Sequence, residues 1–229
     1  MLDRSLRLLL LLIFSMSFAQ TTAYKTKTDI HYYENTVGIV YQNERCKLDL
    51  YYPDVSENFS TIVWFHGGGL KSGFKEIPLQ LKNKGHAVVA VNYRLHPQVS
   101  APKYIEDAAA AVAWVFKNID QFGGDPSKIY VCGFSNGGMM TNKLALELND
   151  RFAALGNVAG NLILEEGQSI DFDRKIPMIH IHGTDDLWVP YQRKASRNRM
   201  DVDESLKFWK NHNKLDQFSK EVILSLIHI

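Results

Sequence analysis

The sequence predicts an α/β fold in one domain, with a mostly parallel sheet covered on both faces. Three observations carry this. Short runs of apolar residues, four to seven long, alternate with helical patterns along the chain. Two of these runs end directly in glycine-rich turns, at His66-Gly67-Gly68-Gly69 and at Gly133-Phe134-Ser135-Asn136-Gly137. The length of 229 residues suits one sizeable core and is too short for two large domains.

The elements follow in order. Residues 1–19 differ from the rest: Arg4 and Arg7 precede an apolar run from 8 to 14, and Ser17-Phe18-Ala19 is a small-x-small pattern ahead of Gln20. This pattern predicts a signal peptide cleaved after Ala19, and hence a secreted or periplasmic protein. The apolar run is short for a membrane span. Residues 20–35 are polar and are expected to be mobile. Residues 38–42 and 47–52 alternate enough to predict a hairpin. Residues 61–65 (TIVWF) predict a buried strand, 76–84 a helix, and 86–92 (HAVVAVN) a second buried strand. Residues 104–119 predict a strong helix with Val112, Val115 and Phe116 on one side. Gly123-Gly124-Asp125-Pro126 breaks it. A third buried strand follows at 128–132 (KIYVC), then a tight turn at 133–138 and a helix at 139–148. Further apolar runs lie at 152–158 and 176–181, and a last helix at 202–211.

Composition excludes several classes. Apolar residues make up 45% and charged residues 22%, the proportions of a globular chain rather than a disordered one or a membrane bundle. The formal net charge is +1 and no Lys/Arg run stands out, so nothing points to nucleic acid. The two cysteines, Cys46 and Cys132, are expected to be free thiols. His31, His86, His96 and His180 show no metal-ligand spacing, so no metal or cofactor is expected.

The chemistry is carried by three motifs. Gly133-Phe134-Ser135-Asn136-Gly137 is a G-x-S-x-G that follows a strand and opens a helix, the setting of a nucleophile elbow. Glycines flank the serine because larger side chains would collide in so tight a turn. The turn lifts the Ser135 hydroxyl clear of the sheet and aims the Asn136 N–H at a developing oxyanion. His66-Gly67-Gly68-Gly69 follows the strand TIVWF. Its glycines let the N–H groups of Gly67 and Gly68 approach a substrate oxygen, while His66 holds the loop by hydrogen bonds. His182-Gly183-Thr184-Asp185-Asp186 follows a late strand. Asp186 is the expected acid, in the chain order Ser…Asp…His, and Asp185 competes as the residue that caps the turn.

These residues carry a family resemblance. Residues 45–132, through KLDLYYP, WFHGGGL, VNYRL and YIEDAAAAVAWVFKNIDQFGGDPSKIYVCG, resemble the hormone-sensitive-lipase-like and feruloyl-esterase-like α/β hydrolases. Residues 133–216, through GFSNGGMM, RFAALGNVAGN, HIHGTDDLWVPY and DVDESLKFWKNHN, are similar to the polyhydroxybutyrate-depolymerase-like esterases. The two halves join at the elbow, as a natural mosaic or as two related sequences combined. The resemblance implies the α/β-hydrolase fold and ester hydrolysis. It also implies Ser135 as nucleophile, Asp186 as acid, and Gly67, Gly68 and Asn136 as oxyanion donors.

The pattern departs from the family at the triad histidine. The depolymerase-like branch carries it in a loop after one more strand. Here only His212 and His228 follow Asp186. His212 reads as a solvated helix end, and His228 as a chain end that packing cannot hold. Residues 222–229 read either as the last strand of the sheet or, from Leu224, as the translated end of a library adapter. The domain over 20–229 is therefore expected to be incomplete at its C-terminus. The expected partner is an ester substrate: acetyl or feruloyl groups on polysaccharide, or a polyester. Phe134, Trp188 and Tyr191 are candidates to line its pocket, with Trp64 assigned to the core, under a short cap over 161–175. Peptide hydrolysis is the weaker option, since no accessory propeller domain is evident. The alternative from another class is a non-catalytic hydrolase-fold binding module whose triad has lapsed.

Overall fold

A computed structural model of the chain describes residues 22–34, 40–54, 57–164, 174–192 and 200–216. Its frame is one seven-stranded sheet in the order β1-β2-β4-β3-β5-β6-β7. The strands are β1 (Tyr24–His31), β2 (Lys47–Pro53), β3 (Phe59–Phe65), β4 (Ala87–Val91), β5 (Gly124–Phe134), β6 (Ala154–Val158) and β7 (Met178–Ile181). β1 and β2 pair antiparallel, as do β2 and β4, and every pairing from β4 to β7 is parallel. The helices are α1 (Val40–Arg45), α2 (Lys103–Asn118), α3 (Asn136–Glu147) and α4 (Val202–His212).

Residue pattern explains these placements. β4 reads AVVAV and is buried along its whole length, as a central strand of a parallel sheet must be. β3 alternates, with Val63 and Phe65 fully buried and Ile62 and Trp64 half-buried on the opposite face. α2 buries an alanine-rich stripe of Ala108, Ala111, Val112 and Val115. α4 opens on a capping box, with Asp201 accepting from the Glu204 N–H and Glu204 reaching back to the Asp201 N–H. It is fastened to α3 by Trp209, which is 2% exposed and donates its indole N–H to Asn142 Oδ1 at 3.0 Å. Burying such a side chain contributes about 2–3 kcal/mol.

The structure corrects three expectations and extends one strand. Residues 24–31 are not mobile; they form β1, an edge strand. It pairs with β2, so the hairpin partner of 47–52 is this strand and not 38–42. Most of β1 is exposed on both faces, so it carries no apolar alternation to read. Residues 40–42 lie instead in α1. The helix expected over 76–84 shrinks to one 3₁₀ turn at Leu79–Leu81, because Pro78 holds the chain extended immediately before it. β5 begins at Gly124, inside the stretch expected only to break the helix. The signal segment 1–19, His228 and the run 222–229 lie outside the described residues, as does most of the cap segment.

Cys46 is fully buried just before β2, and Cys132 is half-buried in β5. Both thiols are free. Three strand steps separate them, about 14 Å, beyond the reach of a disulfide. Burial pushes Cys46 up to about 12 and Cys132 up to about 11. Among the described residues no helix is long and apolar enough to cross a membrane.

Candidate active site

The candidate site lies at the carboxyl ends of β3, β5 and β7. At its centre, Ser135 links β5 to α3 with φ 52° and ψ −117°, a left-handed conformation that a non-glycine residue adopts only when its surroundings enforce it. Those surroundings are two glycines. A methyl group on Gly133 would stand 2.3 Å from the Gly137 carbonyl carbon, and one on Gly137 would stand 2.1 Å from Phe65 O. The Ser135 N–H donates to Val158 O at 2.8 Å, tying the turn to the end of β6. Asn136 begins α3, and no side chain caps this helix start. The first amides of α3 thus remain available for an anion.

The glycine loop closes on this turn. A methyl group on Gly67 would lie 3.2 Å from the Ser135 Cβ and 3.0 Å from Phe134 Cδ1, so the loop backbone lies directly against the serine. Gly68 adopts φ 109° and Gly69 φ 64°, values that side-chain-bearing residues rarely take. His66 is buried and its Nδ1 is 2.7 Å from Gly67 O. Burial lowers its pKa to about 4, so the ring is neutral at ordinary pH and holds the loop through its Nδ1 bond to Gly67 O.

The acid motif stands two strand positions away, about 10 Å along the sheet. Asp186 Oδ1 accepts from the N–H groups of Trp188 at 2.8 Å and Val189 at 2.9 Å. The capping role offered to Asp185 therefore falls to Asp186, and Asp185 is exposed. Asp186 Oδ2 is 3.5 Å from His182 Nε2. That nitrogen donates to Val189 O at 2.7 Å, and His182 Nδ1 is 3.2 Å from His180 Nε2. Both nitrogens of His182 are engaged in holding the acid turn. His180 is pushed down to about 4, first by burial and then by His182 beside it. The turn is joined to the helix that follows Ser135 through Val189, which packs on Met139 of α3 and Val202 of α4.

His212 stands elsewhere. Its Nε2 is 3.0 Å from Arg174 O, ahead of the amino end of β7, whereas Ser135 follows the carboxyl end of the parallel β5. The two are separated by roughly 20 Å of strand length. Trp188 is 88% exposed and Leu187 91% exposed at the tip of the acid turn, and Phe134 and Tyr191 are half-buried. Trp64 is half-buried on β3. Among the described residues no three His, Cys, Asp or Glu side chains stand together as a metal site would require. Residues given no role from the sequence also serve the site: Tyr93 and Arg45 brace the glycine loop, and His180 braces the acid turn.

The family model BD-FAE matches residues 48–174. Over 99 residues the chain is 38% identical to the carboxylesterase NlhH of Mycobacterium tuberculosis, a match covering 41% of this chain and 31% of that protein. The structure is similar to that of an inhibited esterase B from Lactobacillus rhamnosis, with TM-score 0.52 and 25% identity over 60% of this chain and 49% of that one. A truncated carbohydrate esterase from gut microbiota aligns at TM-score 0.66 and 18% identity over 86% of each chain, which shows the shared α/β-hydrolase fold. The chain spans less than a third of the length of the curated relatives it matches.

Proposed function

Because the chain belongs to the BD-FAE family, we propose that it is a carboxylic-ester hydrolase, or part of one, acting through Ser135. The observation that carries this reading is Ser135 itself, held at φ 52° on a strand-to-helix turn with the Gly67 backbone pressed against it. Strain of this kind persists only where the surroundings over-determine it, and such places cluster at active sites. In the proposed reaction Ser135 attacks the ester carbonyl. The N–H groups of Gly67, Gly68 and Asn136 receive the negative charge of the tetrahedral intermediate. Asp186 orients and stabilises the imidazole that takes the serine proton. An imidazole hydrogen-bonded at both nitrogens bridges on the order of 8 Å, which suits two strand steps. His182 is committed to the acid turn and His212 stands at the other end of the sheet, so the proposed base is a histidine outside the described residues. Water then cleaves the acyl-enzyme.

The proposed substrates are acyl groups on a bulky carrier, acetyl or feruloyl esters of polysaccharide or a polyester. The exposed Leu187 and Trp188 beside Asp186 support a broad apolar rim. Export, proposed from residues 1–19, accords with a substrate outside the cytoplasm. The test is hydrolysis of p-nitrophenyl acetate by residues 20–229 beside a Ser135→Ala control. Turnover well above the control supports the reading and directs mutation to His228. Equal rates in a folded protein would show that this chain by itself is not an enzyme.

A further inference from the structure

The hydrogen bonds behind the glycine loop assign to Tyr93 a role that its place in VNYRL does not reveal. A trans peptide unit is planar, with its C=O and N–H pointing in opposite directions. Whatever holds a carbonyl therefore aims the N–H of the next residue. The Tyr93 hydroxyl donates to His66 O at 2.7 Å, and the N–H of that peptide unit belongs to Gly67. The His66 ring donates from Nδ1 to Gly67 O at 2.7 Å, and the N–H of that unit belongs to Gly68. The two rings that make these bonds are stacked, with centroids 4.4 Å apart and planes 9° from parallel.

The support extends further back. Tyr93 is fully buried, and its carbonyl accepts from Arg45 Nε at 3.2 Å. Arg45 Nη2 donates to Gly73 O at 3.1 Å. Gly73 presses on the same assembly: a methyl group there would stand 2.3 Å from His66 Nδ1 and 2.5 Å from Gly67 O. Beside Tyr93, Arg94 is fork-bound to the fully buried Asp107 at 2.7 and 2.8 Å. His66 Nε2 is buried with no hydrogen-bond partner. A proton there would be an unsatisfied donor, so the ring proton belongs on Nδ1, where Gly67 O receives it.

Resting on the ester-hydrolase reading of Ser135, we infer that Tyr93 and His66 are positioning residues of the oxyanion hole. Tyr93 sets the peptide plane that presents the Gly67 N–H, and His66 sets the plane that presents the Gly68 N–H. Donors fixed before the charge develops need no reorganisation when it does, which is how such a site lowers a barrier. Each bond to a carbonyl also polarises its N–H and strengthens the donor.

The test uses the full chain with Tyr93→Phe, which keeps the ring and its stacking and removes only the hydroxyl. The expected result is a fall in kcat of about tenfold with KM unchanged within about twofold. The Gly67 amide nitrogen shift moves in the NMR spectrum while that of Gly68 stays. His66→Asn, whose amide reaches the place of Nδ1, loses less kcat than His66→Leu. Unchanged kcat in Tyr93→Phe, where Ser135→Ala abolishes turnover, overturns the inference. If Ser135→Ala leaves turnover unaltered, this chain by itself is not an enzyme and the amide shifts decide. Movement of Gly67 alone upholds the control of that peptide plane by Tyr93, and no movement overturns it.

Discussion

A methyl group added at Gly137 would stand 2.1 Å from Phe65 O, whereas one added at Gly183, in the turn that carries Asp186, would meet nothing within 4 Å. The contrast runs through both regions. Around Ser135 the backbone of β3, β5 and α3 is packed so closely that glycine is required at Gly133 and Gly137. The acid turn has room. It is held by the bonds of Asp186 to Trp188 and Val189, by His182 on Val189 O, and by Val189 packed against Met139. The turn that lifts Ser135 is held by sterics, while the turn that carries Asp186 is held by side-chain bonds.

The largest effect that would sharpen this comparison is on turnover. Asp186→Asn is expected to lower kcat about 10⁴-fold. Its melting temperature should change little, because the asparagine oxygen still accepts from Trp188 and Val189. Steady-state kinetics and thermal melts of one preparation check both, and a variant that unfolds would show that the acid turn depends on the charge itself.

Next come the glycines. Gly137→Ala is expected to cost about 3 kcal/mol in urea denaturation, since backbone cannot yield as a flexible side chain would. Gly183→Ala is expected to stay within about 0.5 kcal/mol. Equal costs at the two positions would break the comparison.

Each region also holds one neutral histidine, His66 behind the glycine loop and His180 behind the acid turn, both lowered by burial from the usual 6.5 to about 4. Between those values the unfolded chain binds protons that the folded one refuses. Stability is thus fully present above about pH 6.5 and is lost as pH falls toward 4, by about 2 kcal/mol per ring. Denaturation at pH 7 and pH 4.5 measures the loss. His180→Asn and His66→Asn should each flatten part of the slope, and an unchanged slope in His180→Asn would mean that its ring is not held neutral.

The smallest expected effect is at the rim. Trp188→Ala should change stability by less than about 0.5 kcal/mol, since the indole is already in water. A rise in KM for aryl esters over acetate esters would show the indole meeting substrate.

Legibility in the sequence followed the range of the cause. The buried strands β3 and β4, the helix α2 and the elbow at Ser135 were readable because each is written in a few adjacent residues: apolar runs, an alanine-rich stripe, glycines two positions either side of a serine. β1 was missed because its polar residues become a strand only when the edge of β2 offers them partners. The helix expected over residues 76–84 failed because Pro78 outweighed the apolar spacing around it. The turn-capping role assigned to Asp185 fell to Asp186 instead, since either carboxylate reaches a turn amide and only the folded backbone decides which one does.

By itself, then, the sequence determined the α/β architecture, the strand-to-helix turn at Ser135 and the glycine loop, because short-range sterics and hydrophobic periodicity act within a few residues of one another. The tertiary structure alone decided that Tyr93, 27 positions from His66, holds the peptide behind Gly67, and that His212 lies at the far end of the sheet from Ser135. Both depend on which strands lie side by side, and that order comes from burying the whole chain at once rather than from any local pattern.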